Sequence, residues 1–189
     1  VLCELFTLID LNVRWSAGDA PSAAEWDAAA AKVQGPEDTV ERESRLFTAM
    51  AAAWLAQRAG HPEVAQRWLP TYRSVAIALD DARARQMLAI LEAGQLMQAG
   101  EPARALEALR PWDTNEALVA LHVSQRQAYA MLGDEKKERG EAAWLQAHRG
   151  LAYADLAGSY GLQTRNILDT GPASRSAPKV AQPLASMKQ

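Results

Sequence analysis

The sequence predicts an all-α protein, an array of antiparallel helical hairpins with about seven to eight helices, and three observations carry that expectation. A short phrase occurs twice, as Ala59-Gly60-His61-Pro62-Glu63-Val64-Ala65 and as Ala99-Gly100-Glu101-Pro102-Ala103-Arg104-Ala105. In each copy the Gly suits the left-handed residue that ends a helix, and the Pro two residues later has its φ preset for the first turn of the next. A looser copy, Met131-Leu132-Gly133-Asp134-Glu135-Lys136, makes a third turn without Pro, so the turns fall 40 and then 33 residues apart. Between residues 16 and 160, apolar residues recur at helical spacing and no stretch has convincing strand character.

The elements follow in order. Leu2, Phe6, Ile9 and Val13 fit a helical face, although Ile9, Leu11, Val13 and Trp15 also alternate as in a strand; helix is expected because everything after is helical. Ser16 to Pro21 reads as a loop, and Ser22 with Glu25 forms a capping box for a helix over 22–33. Gly35-Pro36 breaks that helix, and Asp38 with Glu41 makes a weaker capping box for a long helix to Ala59, with Leu46, Phe47, Met50, Ala53 and Trp54 on one face. Helices are expected over 62–79, 82–99, 102–110, 115–132 (capped by Asp113 and Glu116) and 135–157. Asp80-Asp81 joins two of them and Pro111 stops another. After Asp169 the chain mixes Pro, Ser, Ala and Lys without periodicity, too little apolar content to offset the entropy of ordering. The expected organisation is an N-terminal helix and loop over 1–21, a helical repeat domain over 22–160 and a flexible tail over 161–189.

Composition bounds the function. With 189 residues, 49% of them hydrophobic and 23% charged, the chain can build one domain with a real core. A net charge of −3 gives no basic footprint and points away from nucleic acid. The single Cys3 fits a reducing, cytoplasmic setting. Glu4 and Asp10 interrupt the apolar opening well before the ~18 to 20 apolar residues of a membrane span. That opening also lacks the basic start and cleavage site of a signal peptide. The chain opens on Val1 without an initiator Met, as expected of a processed product or a piece of a longer protein; a membrane-attached or periplasmic setting would follow if a span lies upstream.

The hairpin spacing and the small residues at set distances from each turn resemble tetratricopeptide repeats over roughly residues 46–150. Gly60 is followed by Ala65 and Leu69, and Gly100 by Ala105 and Leu109, while Ala53 and Ala93 stand seven residues before the two turns. The third unit departs from the pattern, with Glu138 and Ala142 after Gly133, and the 40-residue spacing requires extra residues near Ile77 to Arg83. The resemblance implies a right-handed α-solenoid whose first helices line a concave surface. The groove positions fall on Phe47, Met50, Trp54, Gln57 and Arg58, then Met87, Ile90, Leu91, Met97 and Gln98, then Val123, Gln127 and Met131. A Met-rich, aromatic groove with one Arg suits a partner helix or extended peptide. Apolar stripes at helical spacing are usually core, and packing between helices is the competing account of the same residues. The groove lacks the Lys, Asn and Arg set of a clamp for a C-terminal carboxylate.

Catalytic and metal patterns are absent from the sequence. His61, His122 and His148 have no partner at ligand spacing, there is no second Cys, and Ala157-Gly158-Ser159-Tyr160-Gly161 lacks the Lys-Ser/Thr pair of a phosphate loop. His61 is expected to cap a helix, and the six Trp to pack between helices with one or two exposed. No cofactor or metal is expected. The expectation is a non-catalytic protein-interaction module binding a protein or peptide, with no nucleic acid, no membrane contact within the chain, and a homodimer possible. The alternatives are a C-terminal regulatory domain of a larger bacterial signalling protein (a cyclase, kinase or transcription regulator) and a soluble domain of an envelope scaffold. High Ala content and Arg in preference to Lys suggest a bacterial source.

Overall fold

The repeated phrase builds the same turn three times. Gly60, Gly100 and Gly133 stand at φ 96°, 78° and 73°, a region where a side chain is strained. The next amide in each case reaches back to a carbonyl inside the helix: His61 N–H to Ala56 at 2.8 Å, Glu101 to Leu96 at 2.9 Å and Asp134 to Tyr129 at 3.0 Å. This is the Schellman pattern, which satisfies the last carbonyls of a helix. Pro62 and Pro102 then open the following helices where a missing N–H costs nothing, and at the third turn Asp134 takes over by accepting from Lys137 N–H at 3.1 Å.

The computed structural model describes residues 2–33 and 39–148. Among these residues the protein is all-helical, with eight α-helices and no strand: α1 (Leu2–Ser16), α2 (Ala23–Ala30), α3 (Thr39–Arg58), α4 (Pro62–Leu79), α5 (Ala82–Gln98), α6 (Pro102–Leu109), α7 (Val119–Leu132) and α8 (Glu135–Ala147), plus a 3-10 turn at Arg110–Trp112. The Gly35-Pro36 break, the Asp38 cap, the end of the last helix beyond 148, the Ala157 to Gly161 loop and the tail over 161–189 lie outside the described residues, as does the side chain of Cys3.

Consecutive helices pack on each other, and α3 touches α5 as α5 touches α7. Because α1, α2, α4 and α5 all pack on α3, that helix is covered on every side: all eight residues from Ala49 to Ala56 are buried. A single amphipathic face was expected there, and the Ala content is what allows neighbours to close in all round. The continuous run Val119 to Gln125 is buried in the same way on α7.

Polar groups fix how the outer helices sit. Asp27 on α2 accepts from Arg67 Nη1 at 2.8 Å and Trp68 Nε1 at 2.9 Å, both on α4. The buried Tyr72 hydroxyl lies 2.7 Å from the Ala30 carbonyl and 3.1 Å from that of Ala49, tying α4 to α2 and α3. Burial pushes its pKa well above the usual phenol value.

Several boundaries differ from expectation for identifiable reasons. The helix expected from 115 begins at Val119, and neither Asp113 nor Glu116 caps it. Instead Gln86 of α5 reaches across, accepting from Leu118 N–H at 2.8 Å and donating to the Trp112 carbonyl at 3.2 Å, and the 113–118 stretch stays outside the helix, with a turn at Asn115-Glu116. Pro111 does not end the helical path at once, since Arg110–Trp112 continues it as a 3-10 turn. The long spacing between the first two turns is absorbed by an 18-residue α4, against 8 residues in α6. Asp80, at φ 54°, ends α4 and Asp81 caps α5 by accepting from Ala84 N–H at 2.6 Å. His61 holds the position before α4 without a side-chain cap bond. None of the six Trp is fully exposed.

The Ser22 and Glu25 capping box forms as expected. Arg14 of α1 donates to Glu25 Oε1 at 2.6 Å and to Asp19 at 2.7 Å, while Ser22 donates to Glu25 through its N–H and hydroxyl, each at 2.8 Å. The guanidinium, then Ser22, hold the Glu25 carboxyl down to about 2. A carboxyl held below its unfolded value of about 4.3 stabilises the fold above that pH and loses the contribution as pH falls toward its folded value. The urea midpoint is therefore expected to drop from about pH 5 downward, with part of the drop missing in Glu25→Gln. An unchanged pH profile in that variant would remove Glu25 from the account.

Candidate functional site

A cleft opens where the C-terminal turns of α3 and α5 meet the middle of α7. Trp54, Gln57 and Arg58 come from α3, Ile90, Gly94, Met97 and Gln98 from α5, and Ser124 and Gln127 from α7; the cavity itself is small, about 20 Å³, at the bottom of a shallow opening. Gly94 makes the cleft possible. A Cβ there would stand 2.5 Å from Gln57 Oε1, so only Gly lets the Gln57 side chain cross to α5 and donate to the Leu91 carbonyl at 3.2 Å. A mid-helix Gly costs about 1 kcal/mol relative to Ala. Here that cost is offset by the close approach.

Arg58 is half-buried, with its guanidinium carbon 5.3 Å from the centre of the Trp54 ring. Burial, and then the positive charge of Arg126, pull its pKa down to about 10. It remains a cation at neutral pH. Arg126, between the lining residues Ser124 and Gln127 in sequence, has its own Nη2 3.6 Å from Glu138 on α8. Ser124 donates its hydroxyl proton to the Ala120 carbonyl at 2.9 Å, so it offers the cleft lone pairs only. Among the described residues no carboxylate lines the space.

No family model, curated protein or solved structure matches the chain.

The expected groove residues separate into two sets. Trp54, Gln57, Arg58, Ile90, Met97, Gln98 and Gln127 come together around the cleft. Met50, Met87, Leu91 and Val123 do not line it and pack in the core, while Trp54, Ile90 and Met97, at 2%, 0% and 4% exposed, are a closely packed floor rather than an open surface. Phe47 is half-buried under Arg83, whose guanidinium carbon lies 5.1 Å from the ring centre, and Met131 is an exposed residue near the end of α7. The Met-rich character expected of the groove is therefore confined to Met97; the cleft is carboxamide and guanidinium above an apolar floor. Gly94, Ser124 and Arg126 were not among the expected residues, and an interior Gly in a helix was the one available signal.

A second cluster joins α7 to α8. Buried His122 has Nδ1 2.9 Å from Glu141 Oε2 and stacks on Trp144 at 3.5 Å, with His148 stacked on Trp144 at 4.1 Å. None of these residues lines the cleft, and the stack serves as an inter-helix fastening. Among the described residues no group of three or more His, Cys, Asp or Glu is placed to hold a metal ion, and no helix is long and apolar enough to cross a membrane.

Proposed function

We propose that the chain is a non-catalytic protein-binding module, a tetratricopeptide-like right-handed array in which α3/α4, α5/α6 and α7/α8 are successive hairpins, and that it takes a partner helix or peptide across the cleft. The observation that carries this reading is the convergence on one cleft of residues from three helices widely separated in sequence. The pairing of consecutive helices and the side-by-side order of α3, α5 and α7 support the array. A concave site with an apolar floor and a few converging polar groups is the common form of a recognition site.

The rim supplies the test. Gln98 and Gln127 are exposed, so enlarging them blocks the mouth without removing core packing, and surface changes of that kind shift stability by only about ±0.5 kcal/mol. Short random peptides displayed on phage through their C-termini are selected on the chain. Their affinity is then measured by fluorescence anisotropy on the parent and on Gln98→Trp/Gln127→Trp. The expected result is a loss of roughly tenfold or more with an unchanged urea midpoint. Selected peptides that bind both proteins equally, or a selection that enriches none, would overturn the reading.

A further inference from the structure

The apolar stripe that spacing singles out on α1 is not the one that the core uses. Leu8, Leu11 and Asn12 are buried and Trp15 packs beside them, so they form the side of α1 that meets α2 and α3. Phe6 and Val13, seven residues apart on the other side, are 64% and 44% exposed, with Ile9 half-buried between them at the edge of the core. In the sequence Leu2, Phe6, Ile9 and Val13 stand four, three and four residues apart, the alternation of a helix that pairs with another along a heptad seam. We propose that this outer side of α1 is a self-association surface, covered by α1 of a second copy of the chain.

Spacing, symmetry and charge select that occupant. The 4-3-4 repeat calls for an α-helix, because an extended strand presents its side chains with a period of two residues. α1 is itself a helix with the matching stripe, and in a twofold pair one stripe covers the other with no second complementary surface required. The stripe carries no charge for a copy to repel, and Asp10 beside it has Arg14 of the same helix at 3.9 Å. A helix that lies on a membrane surface carries Lys and Arg on its polar side. The single basic residue of α1 is Arg14, already bonded to Glu25 at 2.6 Å and Asp19 at 2.7 Å. Size then sets the strength. Stable interfaces bury about 800 Å² on each side, whereas a Phe brings about 150 to 250 Å² even when fully covered, so this stripe gives a weak dimer with a Kd of about 10 μM to 1 mM.

Sedimentation velocity of the chain over about 5 μM to 1 mM tests this. The parent is expected to move from monomer toward dimer across that range, while Phe6→Glu/Val13→Glu stays monomeric at every concentration. Both sites are exposed, so the urea midpoint of that variant is expected to match the parent. Phe6→Ala, which adds no charge, is expected to shift the same equilibrium part of the way toward monomer. Ile77→Glu on α4 is the control for general stickiness: Ile77 is as exposed as Phe6, at 64%, and its replacement is expected to leave the dimer intact. A parent chain that remains monomeric at the highest concentration, a dimer that survives the α1 substitutions, or one that Ile77→Glu alone abolishes would overturn the proposal. So would a monomer that cosediments with phosphatidylglycerol vesicles and ceases to do so in the α1 variant, which would give the stripe to a lipid surface.

Discussion

Met87→Ala is expected to lower the free energy of unfolding by about 2 to 5 kcal/mol, the range for truncating a large side chain inside a packed core. Met87 has no exposed surface, on a helix that packs against α3, α4, α6 and α7. Removing it deletes apolar contact and leaves a cavity that Ile90 and Leu91, held at 0% exposure, have little freedom to fill. The same residue lining an open groove would cost only a few tenths of a kcal/mol on truncation. A urea titration therefore separates core from groove at this position. A midpoint within error of the parent would return Met87 to the surface and undo the division of the expected groove into core and cleft.

Trp26→Ala is expected to cost about 3 to 5 kcal/mol, a large fraction of the 5 to 15 kcal/mol by which a domain of this kind is stable. Trp26 is fully buried on α2 and meets Trp15 of α1 edge to face at 6.5 Å, so the loss reaches both N-terminal helices. Its indole N–H is buried without a hydrogen-bond partner among the described residues. Trp26→Phe removes that unsatisfied donor while keeping an aromatic ring, and should cost clearly less than the Ala variant. An Ala variant with less than about 1 kcal/mol of loss would mean that α1 and α2 are appended to the core rather than part of it.

What the sequence reveals here depends on the range of the interaction. The Gly60, Gly100 and Gly133 turns and the Ser22 capping box were legible because each is settled within a few residues by backbone conformation and a local hydrogen bond. The start of α7 was not, because Gln86, 32 residues before Leu118, decides it from another helix. Periodicity places Met50 and Met87 on the correct helices but cannot say how many sides of a helix its neighbours cover, and α3 is covered on all of them. Gln57, Arg58, Gln98 and Gln127 line the cleft, where a burial cost keeps such polar groups near an opening. Arg126 acts on Arg58 through its charge from a different helix, which sequence spacing does not encode. His122 has no partner at ligand spacing in the sequence, and its stack with Trp144 and His148 arises from the packing of α7 on α8.

The most direct measurement compares two variants in two assays, peptide affinity by anisotropy and stability by urea unfolding. The account predicts that the effects separate: Gln98→Trp weakens a rim-sensitive peptide and leaves the unfolding midpoint alone, whereas Met87→Ala lowers the midpoint and, measured where the chain is still folded, binds the peptide as the parent does. The reverse pattern, with Met87→Ala losing the peptide at full stability and Gln98→Trp binding it unchanged, would place the partner on the Met-rich face and contradict the assignment of the site to the cleft.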